Sequence, residues 1–125
     1  MKASFSITGR IKSFKYAGQG IYTMLKSQQN AWIHAAATLL VCLAGIWFGL
    51  SSSEWCWIIL ACIAVWTAEA LNTAFEFLAD VASPGYHPLV KKAKDVAAGA
   101  VLIAAIGAAI IGIIILGPHL FQQPG

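Results

Sequence analysis

Glu69, Asn72, Glu76 and Asp80 are the polar members of an otherwise apolar stretch, Glu69-Ala-Leu-Asn72-Thr-Ala-Phe-Glu76-Phe-Leu-Ala-Asp80. At 100° per residue they fall within about 80° of one another on one stripe of a helix, with Leu71, Phe75, Phe77 and Leu78 on the other faces. Three carboxylates and a carboxamide therefore share a column. Glu69 and Glu76 stand about 10 Å apart along the axis, a span that nucleotide phosphates and a metal ion can bridge. Glu69 lies about 16 Å up the helix from Asp80, inside the apolar region if the membrane boundary is near residue 80. A desolvated carboxylate is a good proton acceptor, so Glu69 suits general-base chemistry. The alternative for Glu69 alone is a protonated carboxyl tying helices together, which explains a whole polar column less well.

The elements that must position this column follow from composition. The chain has 125 residues, of which 59% are hydrophobic and 10% charged, with a mean hydropathy of +0.75. That is too apolar for an ordinary soluble domain and predicts a membrane protein. The eight basic residues form two clusters, Lys2, Arg10, Lys12, Lys15 and Lys26, then Lys91, Lys92 and Lys94. Both clusters are expected on the cytoplasmic side. The net charge of +3 thus reports topology and attraction to anionic lipid heads or phosphates, and nucleic acid is not an expected partner. Cys42, Cys56 and Cys62 have no metal-ligand spacing and read as packing residues, with neither disulfide nor zinc. No removable signal peptide is expected at the N-terminus.

Residues 5–28 space Ile7, Ile11, Phe14, Ile21 and Leu25 as one apolar face against Arg10, Lys12, Lys15, Gln19 and Lys26. This predicts an amphipathic helix on the membrane surface, weakened by Gly9, Gly18 and Gly20. Residues 31–50 carry no formal charge and have Trp32 and Trp47 near their ends, as a membrane span does. His34 reads as a hydrogen-bonded interfacial histidine. Ser51-Ser-Ser-Glu54 is an outside turn. A second span is expected over residues 55–80 and a third over 94–116, joined by a cytoplasmic connection with the turn signals Ser83-Pro84-Gly85 and His87-Pro88. Gly117-Pro118-His119 should end the last span. Lys94 at the start of that span opposes the helix dipole, a hint of phosphate binding, although a positive-inside flank explains it equally well. The expected fold is all-α: a surface helix plus three transmembrane helices in one domain, small enough that oligomerisation is favoured.

Carboxylates near a membrane surface, facing Lys94 and Asp95 beside a basic loop, suit a divalent ion and a polyphosphate, as in phosphoryl transfer. The soluble P-loop pattern is absent. Ala68-Glu69-Ala-Leu-Asn72-Thr73-Ala-Phe-Glu76, then Asp80, then Lys94-Asp95-Val-Ala-Ala-Gly-Ala-Val-Leu resembles the prokaryotic diacylglycerol kinase and undecaprenol kinase family. Arg10-Ile-Lys-Ser-Phe-Lys-Tyr16-Ala and Gly20 extend the likeness into the surface helix. The resemblance implies a homotrimer in the bacterial cytoplasmic membrane, N-terminus inside, that moves the γ-phosphoryl group of MgATP to a lipid hydroxyl at the cytoplasmic face. It also implies roles. Glu69 would be the base, oriented by Asn72. Glu76 would be a metal ligand. Arg10, Tyr16, Gly85, Tyr86, His87, Lys94 and Asp95 would contact ATP, and Ser13, Phe14 and Trp47 the lipid. One departure stands out: where the family has a second metal-binding Glu, this chain has Gln28. The Asn-Thr-Ala motif, the Asn30 and His34 pair and the Tyr-His-Pro-Leu loop are more similar to the undecaprenol branch. The competing class is a small oligomeric transporter or channel using Glu69 as an intramembrane proton or cation site.

Overall fold

A computed structural model describes residues 4–122 as four helices, α1 (Ile7–Ser27), α2 (Gln29–Phe48), α3 (Ser52–Ala82) and α4 (Pro88–Phe121), with no strand among the described residues. The expected all-α architecture is present; Lys2 of the first basic cluster lies outside the described residues. The last three helices are each long and apolar enough to cross a membrane. α3 (31 residues) and α4 (34 residues) are about 46 and 51 Å long at 1.5 Å per residue, well beyond a hydrocarbon core of about 30 Å. Both helices therefore project out of the apolar layer. α3 and α4 pack along each other, and α3 also touches α1 and α2, which makes it the central element.

Local chemistry sets each joint. Ser6 caps α1, its Oγ accepting from the Gly9 N–H at 3.1 Å, and the helix runs unbroken through Gly18 and Gly20. Gln28 alone separates α1 from α2, in an extended conformation (φ −116°, ψ 119°). One extended residue between two helices swings the surface helix away from the span and fixes where the Gln28 side chain points. After α2, Gly49 sits in the left-handed region (φ 66°), and the Leu50 N–H returns to the Gly45 carbonyl at 3.1 Å, the usual way to close a helix C-terminus.

Three helix ends differ from expectation by three residues or more, and the others by two at most. α3 starts at Ser52 rather than 55 because Ser51 and Glu54 form a capping box, Glu54 N–H to Ser51 Oγ at 3.2 Å and Ser51 N–H to Glu54 Oε1 at 3.0 Å. α4 starts at Pro88, six residues before the expected span. Proline is pre-organised for the first helical position, and His87 Nδ1 accepts from the Leu89 N–H at 3.2 Å. Lys94 is thus about two turns into α4, where the dipole acts weakly, and the hint drawn from its place at a helix start does not hold. Finally, α4 continues through Pro118 to Phe121. Its last turn is held from outside by His119, whose Nε2 lies 2.8 Å from Glu54 Oε2 and whose ring stacks on Phe48 with centroids 5.7 Å apart.

At that same end, α2 approaches α3 closely. A Cβ built on Gly45 would lie 2.6 Å from Trp55 Cη2 and 3.0 Å from Leu50 Cδ1. Gly45→Ala is therefore expected to overpack the contact and cost about 1–3 kcal/mol. The check is the unfolding midpoint in detergent, which should fall; an unchanged midpoint contradicts the close approach.

Candidate active site

The polar column of α3 is graded by depth. Glu69 is fully buried (0% exposed) and Asn72 nearly so, Glu76 is half-buried, and Asp80 is exposed. Asn72 Nδ2 donates to Glu76 Oε1 at 3.3 Å. From the α1–α2 joint, Gln28 Nε2 donates to the other oxygen, Glu76 Oε2, at 3.0 Å. Two amides thus hold the Glu76 carboxylate. Thr73 Oγ returns to the Glu69 carbonyl at 2.8 Å, so it competes for none of these groups.

Glu69 has a different partner. His34 of α2 places Nε2 3.3 Å from Glu69 Oε2, within ion-pair range but without the alignment of a hydrogen bond. Four buried atoms consequently lack a hydrogen-bond partner: both Glu69 carboxylate oxygens, His34 Nε2 and Asn72 Oδ1. Each buried unpaired polar group costs about 1–3 kcal/mol, and such groups in a native structure call for an explanation. Four together fit a ligand that brings hydrogen-bonding groups of its own. Beside them, α2, α3 and α4 line a half-open cavity of about 470 Å³ with an apolar lining that includes Ile33, Ala37, Val65 and Ala105, and His34 and Thr38 are its polar members together with Cys62. An apolar slot lined by His34, itself 3.3 Å from the Glu69 carboxylate, suits a long apolar molecule with a hydroxyl at its tip.

The other side of the column suits phosphate. Lys94 Nζ pairs with Asp80 Oδ1 at 2.8 Å, and Lys91 Nζ with Asp95 Oδ2 at 2.7 Å. All four side chains are between 40 and 65% exposed. Exposed pairs of this kind contribute little stability and exchange partners readily.

Not every expected site residue is gathered here. Gln28, Glu69, Asn72 and Glu76 are brought together, with Lys94 tied to the foot of the column through Asp80. Gly85, Tyr86 and His87 form the α3–α4 connection and its cap, where the Gly85 carbonyl accepts from Ser83 Oγ at 2.9 Å. Arg10, Ser13, Phe14 and Tyr16 lie exposed on α1; Ser13 Oγ bonds only the Gly9 carbonyl. Trp47 is exposed about 20 Å further along α2 than His34, far from the polar column. His34 was not among the expected site residues. Its signal was its depth: one turn into the apolar part of its span, as Glu69 is buried in its own.

Among the described residues no three His, Cys, Asp or Glu side chains converge to hold a metal by themselves. A divalent ion bound mainly by polyphosphate oxygens nonetheless fits, since Glu76 offers a carboxylate, Asn72 an unpaired carbonyl oxygen, and Gln28 a second amide once turned over.

Fold and site together define an integral membrane protein with a buried carboxylate and histidine near an apolar slot, and an exposed charged surface at the foot of the same helix. The chain belongs to the prokaryotic diacylglycerol kinase family, whose sequence profile matches residues 15–116. It is 42% identical over 109 residues to the undecaprenol kinase of Bacillus subtilis (strain 168), covering 87% of this chain and 89% of that protein. To the diacylglycerol kinase of Synechocystis sp. it is 39% identical over 111 residues, 88% of this chain and 63% of that longer protein. The diacylglycerol kinase of Escherichia coli (strain K12) is 33% identical over 119 residues, 90% of this chain and 94% of that protein. The chain is accordingly a membrane lipid kinase, a phosphotransferase with an alcohol acceptor, and the transporter reading is not favoured.

Proposed function

We propose that this protein transfers the γ-phosphoryl group of ATP to the hydroxyl of a long-chain polyprenol, undecaprenol in the first instance, at the cytoplasmic face of a bacterial inner membrane. The observation that carries the proposal is the fully buried Glu69, whose oxygens make no hydrogen bond and which stands 3.3 Å from His34, a residue lining an apolar slot. The acceptor's chain occupies that slot, and its hydroxyl meets Glu69, which takes the proton as the oxygen attacks phosphorus. Asn72 keeps its amide nitrogen on Glu76 and turns its free carbonyl oxygen to the reacting groups. Lys94 and Asp95, with Arg10, Tyr16, Gly85, Tyr86 and His87, hold the nucleotide. Ser13 and Phe14 on the surface helix and Trp47 on the span face lipid. A divalent cation, Mg²⁺ in this reading, would be held by Glu76, Gln28 and the phosphates, and when bound it neutralises charge on them. The working unit is a homotrimer with cytoplasmic N-termini, in keeping with the basic clusters on α1 and α4.

Undecaprenol is favoured over diacylglycerol by the higher identity to the Bacillus subtilis undecaprenol kinase than to the Escherichia coli diacylglycerol kinase. The test offers both alcohols to the purified protein with ATP and compares kcat/KM. The polyprenol should be preferred; preference for diacylglycerol overturns the acceptor assignment.

Gln28 gives this site a character of its own. Its amide can lend one carbonyl oxygen to a hard divalent ion but no negative charge, and such ions favour carboxylates. Gln28→Glu is expected to lower the Mg²⁺ concentration for half-maximal rate and to raise turnover. An unchanged midpoint with an unchanged rate would mean that residue 28 does not face the metal.

A further inference from the structure

We infer that His34 is a positioning residue for the phosphoryl acceptor, holding one oxygen of Glu69 so that the other is presented to the lipid hydroxyl. This inference rests on the kinase reading above and assigns a role to a residue outside the expected site. His34 comes from a different helix than Glu69, yet its Nε2 stands 3.3 Å from Glu69 Oε2 and both atoms are buried. Its ring is held in place by α3. Trp66, one turn before Glu69, donates from Nε1 to Thr38 Oγ at 3.0 Å, Thr38 Oγ donates to the His34 carbonyl at 2.7 Å, and the Trp66 ring meets the imidazole edge-on at 6.2 Å. That clamp fixes α2 against α3 at the depth of the base. The His34 side chain is 14% exposed and forms part of the apolar cavity's lining, so an acceptor in the slot lies against the residue that touches Glu69.

Two unpaired atoms 3.3 Å apart need only a small adjustment to form a charge-assisted hydrogen bond, and catalytic contacts often tighten once substrate is bound. With the acceptor in place, the Nε2–H of His34 donates to Glu69 Oε2, and Oε1 is left to accept from the hydroxyl. The hydroxyl proton passes to Oε1 and the lipid oxygen bonds to the γ-phosphorus. The bond from that phosphorus to the β–γ bridging oxygen breaks, and ADP leaves with the electron pair. His34 neither gains nor loses a proton. Its contribution is orientation of the base, which acts on kcat and leaves nucleotide binding to other residues.

The test compares His34→Leu, which fills similar space without a donor, with His34→Gln, which keeps one. Full-length proteins are reconstituted in lipid vesicles. His34→Leu is expected to lose about 10- to 100-fold in kcat, the scale of one hydrogen bond to a charged group, with KM for ATP unchanged. His34→Gln should recover most of that loss. In a Glu69→Gln background the Leu substitution should add little, because residues that act as a unit are not additive. A wild-type kcat in His34→Leu, or an equal further loss in the Glu69→Gln background, overturns the inference. Independently of turnover, the ¹⁵N resonances of the His34 ring in the folded protein should move when Glu69 is changed to Gln; unmoved resonances overturn it as well. A wild-type protein that labels no lipid would instead sink the kinase reading, an outcome distinct from any of these.

Discussion

Glu69→Gln leaves a protein that still inserts, assembles and binds ATP but turns over about 10²- to 10⁴-fold more slowly, the usual cost of losing a general base. The substitution keeps the shape of a side chain that is fully buried and adds a donor where the carboxylate could only accept. Stability should therefore change little: the carboxylate oxygens make no hydrogen bond, their contact with His34 at 3.3 Å stays open to an amide, and an amide is easier to bury than an ionised group. Separating the effects requires two readouts, single-turnover rate and nucleotide affinity. Loss confined to the rate assigns Glu69 to proton acceptance. Near-normal turnover would mean that another group takes the proton.

Lys94→Met is expected to weaken ATP binding by about 10- to 100-fold, the scale of one charge-assisted hydrogen bond to phosphate. The Lys94 amine is paired with Asp80 at 2.8 Å, and both are substantially exposed, so the pair itself adds little to stability. A polyphosphate offers the ammonium more charge and more acceptors than one carboxylate does. The variant should therefore fold and assemble as wild type does. Equilibrium nucleotide binding decides the matter, and an affinity within about threefold of wild type would leave Lys94 as the partner of Asp80 and a topology signal.

The column of Glu69, Asn72, Glu76 and Asp80 was legible in the sequence because helical periodicity alone aligns those positions. The three spans were legible too, since an apolar run of about 20 residues has few other uses. Their ends were not. Hydropathy finds where a helix is apolar and not where its hydrogen bonding stops, so the polar turns of α3 and α4 beyond the membrane were missed. Pro118 shows why: a proline ordinarily ends a helix, and here the contact of His119 with Glu54, 65 residues away in sequence, carries the helix past it. The role of His34 was hidden for the same reason. Its approach to Glu69 joins two helices, and no local spacing encodes it. Gln28 was legible as a position, but its bond to Glu76 depends on the single extended residue between α1 and α2.

On the function proposed above, this buried carboxylate site serves phosphoryl transfer to a lipid alcohol. The most direct measurement supplies the purified wild-type protein, in lipid vesicles, with γ-labelled ATP, Mg²⁺ and undecaprenol, and follows label in the organic extract alongside proton and cation flux across the vesicle wall. Label should accumulate in the lipid only when ATP and the alcohol are both present, and flux should stay at the level of empty vesicles. Flux without ATP-dependent lipid labelling would contradict the account.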